Sequence, residues 1–389
     1  MTSTSRPFQP DWVTHPGEHL AEYLESWGMS QAELADRTGL HRKTINAIIN
    51  GTMSITADTA VLLEPIFGMP ANFWVNLDAQ YHAYMARKSQ HAHIEAQHAQ
   101  MSRFPIKDMQ KRDLLPRTTD PIALGVALMQ FFALGDFDQW AVVWQRSPLV
   151  VAYRQQRAET KTPELVSVWL REGQRLVEHR EYIPFDAAKL REALPQMRQL
   201  TTQPNDQFWP VLEGICTDAG VYLVRVRPYT NLGVYAATYR FRGRTVLQMS
   251  GLRRSVDQFW FSFFHEVGHL LLHGVKELFL DQAPTDGTEH AAVPETADAT
   301  EHADTQEAEA NAFAARTLIP DGAMRQFIRE AKSTYTSPAI ERFAAQQGIH
   351  PGIVVGRLQH EQVLNYASAL NSLKDNYSWV YEIVRKNSV

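Results

Sequence analysis

The sequence predicts a multidomain, mainly α-helical protein. An all-α helix-turn-helix domain is expected over residues 15–82, a helical connector over 83–204, and an α+β domain with a small sheet over 205–389. Three observations carry this. Capping residues and glycines punctuate short helical patterns between residues 16 and 67. Apolar and polar residues alternate with period two between residues 220 and 251. A helix pattern bearing His-Glu-Val-Gly-His follows that alternation directly.

Composition narrows the classes. The chain has 389 residues, 44% of them hydrophobic, enough for two or three cores and unlike a disordered or fibrous protein. One cysteine, Cys216, excludes an internal disulfide framework, and MTSTSRPFQPDW has neither a basic nor an apolar segment of a leader. A cytoplasmic location is therefore expected. No apolar run reaches the length of a membrane span, and a net charge of -5 argues against a chain that coats nucleic acid throughout. Any DNA contact must be local.

The first domain supplies such a contact. In SQAELADRTG, Ser30 and Glu33 form a capping box, Leu34 faces inward and Gly39 ends the helix. LHRKTINAIING then gives a second helix with Leu40, Ile45 and Ile48 inward and Arg42, Lys43, Thr44 and Asn46 outward, stopped by Gly51. Arg suits guanine and Asn adenine, while Lys and Thr suit the phosphate backbone, and Gln31 is placed to reach a phosphate. A merely solvated helix face would carry similar residues, but here capping, turn and charge agree. The stretch from Ser30 to Tyr81 resembles an XRE-type helix-turn-helix domain, and its end, FGMPANFWVNLDAQY, is similar to that of HigA-type antitoxins. The resemblance covers residues 15–82 and implies operator DNA as a partner, bound by a homodimer.

Residues from Ala71 to Phe104 lack Gly and Pro and read as a long connecting helix. His91, Glu95 and His98 could share a face of it, yet an exposed connector explains them without a metal. Helical patterns continue to residue 200, including PELVSVWLREGQRLVEH, and say little about chemistry. GVYLVRVRP, YAATYRFRG and RTVLQMSG then read as three strands.

In FHEVGHLLLHG, His265 and His269 lie one turn apart on one helix face, so two imidazoles can share one ion. Glu266, offset by one residue, is placed as general base beside the water that the ion activates. His273 continues that face but lies about 12 Å from His265 at 1.5 Å per residue, too far to join the same ion, and Gly274 caps the end. A strand group leading into such a helix is the arrangement of compact zinc peptidases, whose sheet edge binds extended substrate.

A catalytic zinc takes three protein ligands and leaves one position open, so one ligand must come from elsewhere. The extension His-x-x-Gly-x-x-His fails, because the required positions hold Leu272 and Val275. Residues 282–304 are acidic, lack Lys and Arg and show no apolar periodicity, so they read as a flexible insertion whose His290 and His302 are poor ligands. EAEANAFAARTLIP resumes as a helix, offering both Glu307 and Glu309. GVYLVRV, FWFSFFHEVGHLLLHG and EAEANAFAARTLIP together resemble the three blocks of the ImmA/IrrE metallopeptidases. That resemblance spans residues 205–375. It implies a gluzincin-like fold, Zn2+ held by His265, His269 and Glu309, with Glu307 the less favoured option, and Glu266 as the catalytic base. It also implies an XRE-type repressor as the protein substrate, cleaved in a stress or mobile-element switch. The second reading is an antitoxin-type regulator whose zinc domain binds or senses a partner without cleaving it.

Overall fold

The computed structural model describes residues 13–145, 163–252, 255–274, 297–331 and 334–377. The chain divides into two compact units, 1–98 and 99–389.

The first unit holds α1 (Pro16–Ser26), α2 (Gln31–Thr38), α3 (Arg42–Ile49), α4 (Ala57–Phe67) and α5 (Ala71–Ala96). Local chemistry sets the breaks. Ser30 accepts the Glu33 amide at 3.1 Å to start α2, and Gly39, at φ 75°, turns the chain into α3. Leu20, Leu34, Ile45, Ile48, Leu63 and Trp74 form the core. A Cβ on Gly17 would sit 2.1 Å from the Ile48 carbonyl oxygen, so a glycine is what lets α1 close on the end of α3. Asp78 of α5 accepts the Ile55 amide at 2.9 Å and pins the segment after α3. The expected long helix is present but stops at Ala96, with Gln97 as its cap. His91, Glu95 and His98 are exposed.

The second unit contains α6 (Ile106–Lys111), α7 (Pro121–Phe132), α8 (Pro163–Val177) and α9 (Asn205–Asp218), then β1 (Val221–Arg225), β2 (Ala236–Phe241) and β3 (Arg244–Met249). It closes with α10 (Val256–Leu272), α11 (Ala297–Leu318), α12 (Asp321–Ala331), α13 (Ser337–Gln347) and α14 (Pro351–His360). The three expected strands form one sheet in the order β1-β3-β2. β1 is parallel to β3, with Val221 opposite Thr245, and β2 is antiparallel to it, with Thr238 opposite Leu247. Arg242 and Gly243 both have positive φ, 47° and 78°, the requirement of a two-residue hairpin turn between β2 and β3.

The connector does not stand apart. Trp169 of α8 donates from Nε1 to the Val226 carbonyl at 3.3 Å, and Gln248 of β3 donates to the Trp169 carbonyl at 2.7 Å. Gly173 makes that approach possible, since a Cβ there would lie 1.8 Å from Gln248 Oε1. The helices before residue 204 are thus part of the unit that holds the sheet, because a two-sided sheet needs cover on both faces. Arg112 ties the same region together. It donates to Glu172 Oε1 at 3.2 Å and to the Arg227 and Pro228 carbonyls at 2.7 and 2.9 Å, beneath the Tyr229 ring. Burial pushes the Glu172 carboxyl up to about 7, against the pull of Arg112.

The helical pattern expected to resume only after residue 304 begins earlier. α11 starts at Ala297, so the last eight positions of the acidic segment are helix, while residues 282–296 with His290 lie outside the described residues. An alanine- and glutamate-rich stretch has high helix propensity and can extend a helix anchored by its buried end.

Candidate metal centre

α10 is apolar on its buried side, with Phe259, Trp260, Phe263, Phe264 and Val267 all within the core, which turns His265 and His269 toward α11. The two helices meet closely at Gly268. A Cβ there would be 3.3 Å from Ala310 Cα and 3.1 Å from Phe313 Cδ1, and Ala310 and Ala314 are themselves fully buried. This small-residue seam sets how near the glutamates of α11 approach.

The glutamate that reaches the histidines is Glu307. Its Oε2 lies 3.3 Å from His265 Nε2 and its Oε1 lies 3.4 Å from His269 Nε2, while the two Nε2 atoms are 3.0 Å apart. Glu309 instead faces His273, with Oε2 3.6 Å from Nδ1. Of the two glutamates that the sequence leaves open, the structure brings Glu307, the less favoured one, to the histidine pair and Glu309 to His273. Residues two apart on a helix point about 200° apart, so only one of the pair can face α10 at a given level. His273, half-buried at the C-cap of α10, belongs to the Glu309 contact and not to the triangle.

Three donor atoms with lone pairs converge here, a repulsive arrangement unless a cation or proton lies among them. Tetrahedral zinc at ordinary bond lengths spaces its donors by about 3.3 Å, close to the three separations in this structure, and the donor types suit it. Hydrogen bonds from His265 and His269 hold the Glu307 carboxyl well below the usual carboxylate range. Burial pulls the His265 imidazole down, but the Glu307 bond and the nearby Glu266 charge outweigh it and leave it raised.

Two further residues shape the site, and neither was anticipated. Asn311, one turn after Glu307, places Oδ1 3.0 Å from His265 Nδ1, so that nitrogen carries a proton and the ring is held in orientation. Thr238, on the edge strand β2, donates its hydroxyl to Glu266 Oε2 at 2.5 Å. One turn of helix spacing from Glu307 could have signalled Asn311. Nothing local signals Thr238, because its partner is 28 residues away.

In the first unit, Arg42, Lys43 and Asn46 are exposed on α3, while Gln31 and Thr44 are half-buried. Asn46 accepts from Asn50 at 3.0 Å, which leaves its amide nitrogen outward. No helix among the described residues is long and apolar enough to cross a membrane.

Comparison with known proteins follows this division. Residues 20–74 match a family model described as helix-turn-helix, and residues 223–359 match a peptidase family model described as IrrE N-terminal-like domain. Virulence-associated protein I of Dichelobacter nodosus is 40% identical over 75 residues, 19% of this chain and 69% of that protein. Antitoxin HigA-1 of Vibrio cholerae is 39% identical over 62 residues, 16% of this chain and 58% of that one. Among solved structures, a HigA-family addiction module antidote protein from Coxiella burnetii is 43% identical, covering 21% of this chain and 91% of that chain at a TM-score of 0.21. A Pseudomonas aeruginosa protein solved with its operator DNA is 34% identical, covering 20% of this chain and 85% of that one at a TM-score of 0.20.

Proposed function

Because the chain belongs to the helix-turn-helix family and carries an IrrE N-terminal-like peptidase domain, we propose that it is a cytoplasmic, DNA-binding zinc metalloendopeptidase whose substrate is a repressor-type regulator. The observation that carries this reading is the His265–His269–Glu307 triangle with Glu266 beside it. A purely structural zinc site closes with four protein ligands and has no use for an adjacent carboxylate.

Zinc, when bound, supplies the Lewis acidity that makes water a nucleophile near neutral pH. His265, His269 and Glu307 would hold it, and Asn311 would keep His265 in the tautomer that can ligate. Thr238 occupies one oxygen of Glu266 and leaves the other to take the proton of the attacking water, then pass it to the leaving amine. Because Thr238 lies on an edge strand, a peptide added alongside β2 would pass over Glu266, with its scissile carbonyl at the triangle. In the first unit, Arg42, Lys43, Thr44, Asn46 and Gln31 would contact operator DNA, bound as a homodimer on a palindromic site.

The test is mass spectrometry of XRE-type repressors incubated with the zinc-loaded chain, its Glu266→Gln variant and a chelated sample. Cleavage by the parent alone, with zinc retained in the variant, supports the proposal. Equal cleavage by the variant refutes it. The relatives named as an antitoxin and an addiction module antidote favour a second reading, a regulator that binds a partner without cleaving it. Under that reading Glu266→Gln leaves repression of the target promoter unchanged.

A further inference from the structure

The hairpin beside the metal centre carries three arginines in the run YRFRGR, Arg240, Arg242 and Arg244, and their contacts sort them between the two faces of the sheet. Side chains alternate along a strand, so Tyr239 and Phe241 share one face of β2 while Thr238 and Arg240 share the other. The first face is packed on α8. Tyr239 donates to Gln248 Oε1 at 2.7 Å, and Gln248 donates in turn to the Trp169 carbonyl of α8. Arg242 lies over the Phe241 ring, 5.3 Å from its centroid. Arg244, opposite Phe241, donates to the Arg180 carbonyl at 2.6 and 3.2 Å, just beyond the end of α8. Two of the three arginines are thereby committed to that side.

Arg240 belongs to the face toward α10. Leu247, opposite Thr238, shares a core with Phe263 and Val267 of α10, and Thr238 itself donates to Glu266. Arg240 follows Thr238 by two residues, about 6.8 Å along the strand at 3.4 Å per residue. Its cross-strand neighbour Thr245 is buried, whereas Arg240 is exposed. β2 is the outer strand in the order β1-β3-β2, so a peptide can be added along it. Facing residues of such a pair hold their Cβ atoms about 4.5–5.5 Å apart. A carboxylate on the peptide residue that faces Arg240 is then within reach of a bidentate pairing with the guanidinium. One step closer to the metal centre the charge is of the other sign. A peptide residue facing Thr238 meets Glu266, and Glu307 and Glu309 lie beyond it on α11.

We propose that Arg240 selects an acidic side chain, Asp or Glu, in the polypeptide substrate, two residues from the one whose carbonyl is cut. This rests on the peptidase reading and names a feature of its substrate class. A charged side chain on an open strand edge also deters pairing with a second sheet. That duty is indifferent to the sign of the charge. Selection is not, so reversing the charge at this position must reverse the choice of side chain.

Two measurements test it. In the first, the zinc-loaded Glu266→Gln chain is immobilised, a synthetic library of random decapeptides is passed over it at low salt, where screening is least, and the retained peptides are sequenced. Asp and Glu should be enriched over Asn and Gln by about two- to fivefold, the range of an exposed ion pair. With Arg240→Gln added the enrichment should disappear, with Arg240→Lys it should return, and with Arg240→Glu it should give way to Lys and Arg. Arg240 is exposed, so all three variants should keep the far-ultraviolet circular dichroism of the parent. Enrichment of acids that persists in Arg240→Glu overturns the proposal, as does its absence from the first selection. In the second, the chain with Glu266 intact digests the same library and the products are sequenced. Acidic residues should recur at one position, two from the residue whose carbonyl is cut, and Lys and Arg should replace them there in Arg240→Glu. Acids at no fixed position, or at the same position in both chains, overturn the proposal. If the retained peptides respond to Arg240 as expected but none is cut, the acidic pairing at β2 stands and the peptidase reading falls.

Discussion

Exchanging the two glutamates of α11 separates the geometry of this site from the reading of its linear pattern. Glu307→Ala removes a carboxylate whose two oxygens lie 3.3 and 3.4 Å from the histidine nitrogens, so two protein donors remain where a zinc site takes three. Losing a partner that only orients a ligand costs roughly 10–100-fold in metal affinity. Losing the ligand itself should cost more than that, over about 2.7 kcal/mol at 1.36 kcal/mol per tenfold. Glu309→Ala removes only the 3.6 Å contact to His273, an exposed carboxylate's pairing of the kind worth at most about 1 kcal/mol. Its zinc affinity should stay within about threefold of the parent. The assay is zinc competition against a chromophoric chelator at neutral pH, with far-ultraviolet circular dichroism to establish that each chain is folded. Zinc affinity that falls more in Glu309→Ala than in Glu307→Ala would refute the assignment of Glu307. It would also mean that α11 is rotated by about half a turn.

Asn311→Ala should weaken zinc binding about 10–100-fold by freeing His265 to rotate, and Asn311→Asp should restore it; equal affinity in all three chains would remove Asn311 from the site. Gly268→Ala puts a Cβ 3.1 Å from Phe313, so the seam must widen, with a cost of about 1–3 kcal/mol in thermal or urea unfolding of the chelated chain. Lys43→Ala should lower the salt slope of binding to DNA from the chain's own promoter by about one, measured by fluorescence anisotropy, and Arg42→Ala should reduce discrimination against random DNA; an unchanged slope and preference would take α3 out of the interface. Burial raises the folded-state Glu172 carboxyl from 4.5 to about 7, so the folded chain holds a proton that the unfolded chain has lost in that window. Its contribution therefore falls as pH rises from about 4.5 to about 7, by roughly 3 kcal/mol at most. Chelated Glu172→Gln should lose that part of the slope in urea titrations, and an identical pH profile would refute the shift.

Much of the architecture was legible because it rests on local rules. Ser30 and Gly39 mark α2 in sequence and do so in the structure through a cap and a left-handed turn. The three strands stand where alternation and turn residues placed them. The pair His265 and His269 follows from helix periodicity alone. What was not legible depends on how elements meet. Choosing between Glu307 and Glu309 needs the rotational phase of α11 against α10, and that is set by the Gly268–Ala310 approach across 42 residues. The helix also begins inside a segment whose composition reads as disordered, which hid its true start. The segment PELVSVWLREGQRLVEH carried polar letters that looked uninformative, yet Gln174 and Glu172 are buried because α8 covers the sheet. Burial of that kind comes from the sheet's need for a second cover and has no signature within the helix itself.

Thr238 bears on the choice between peptidase and non-cleaving regulator. A carboxylate kept near a metal only to tune its field needs no fixed orientation, and water alone would solvate it. Here the hydroxyl of an edge strand takes one oxygen of Glu266, so the other has a defined direction relative to the triangle. Thr238→Val keeps the shape of the side chain and removes that donor, at the usual net cost of about 1 kcal/mol for one hydrogen bond. In a peptidase it should lower kcat by about tenfold or more, because the base is no longer aimed, while zinc affinity is unchanged. KM for a cleaved peptide should move little if β2 still offers its backbone edge. Should Thr238→Val leave kcat intact while Glu266→Gln abolishes it, Glu266 acts without a positioned orientation. A loss of zinc in Thr238→Val would place the strand's role in metal binding and leave the aiming argument without support.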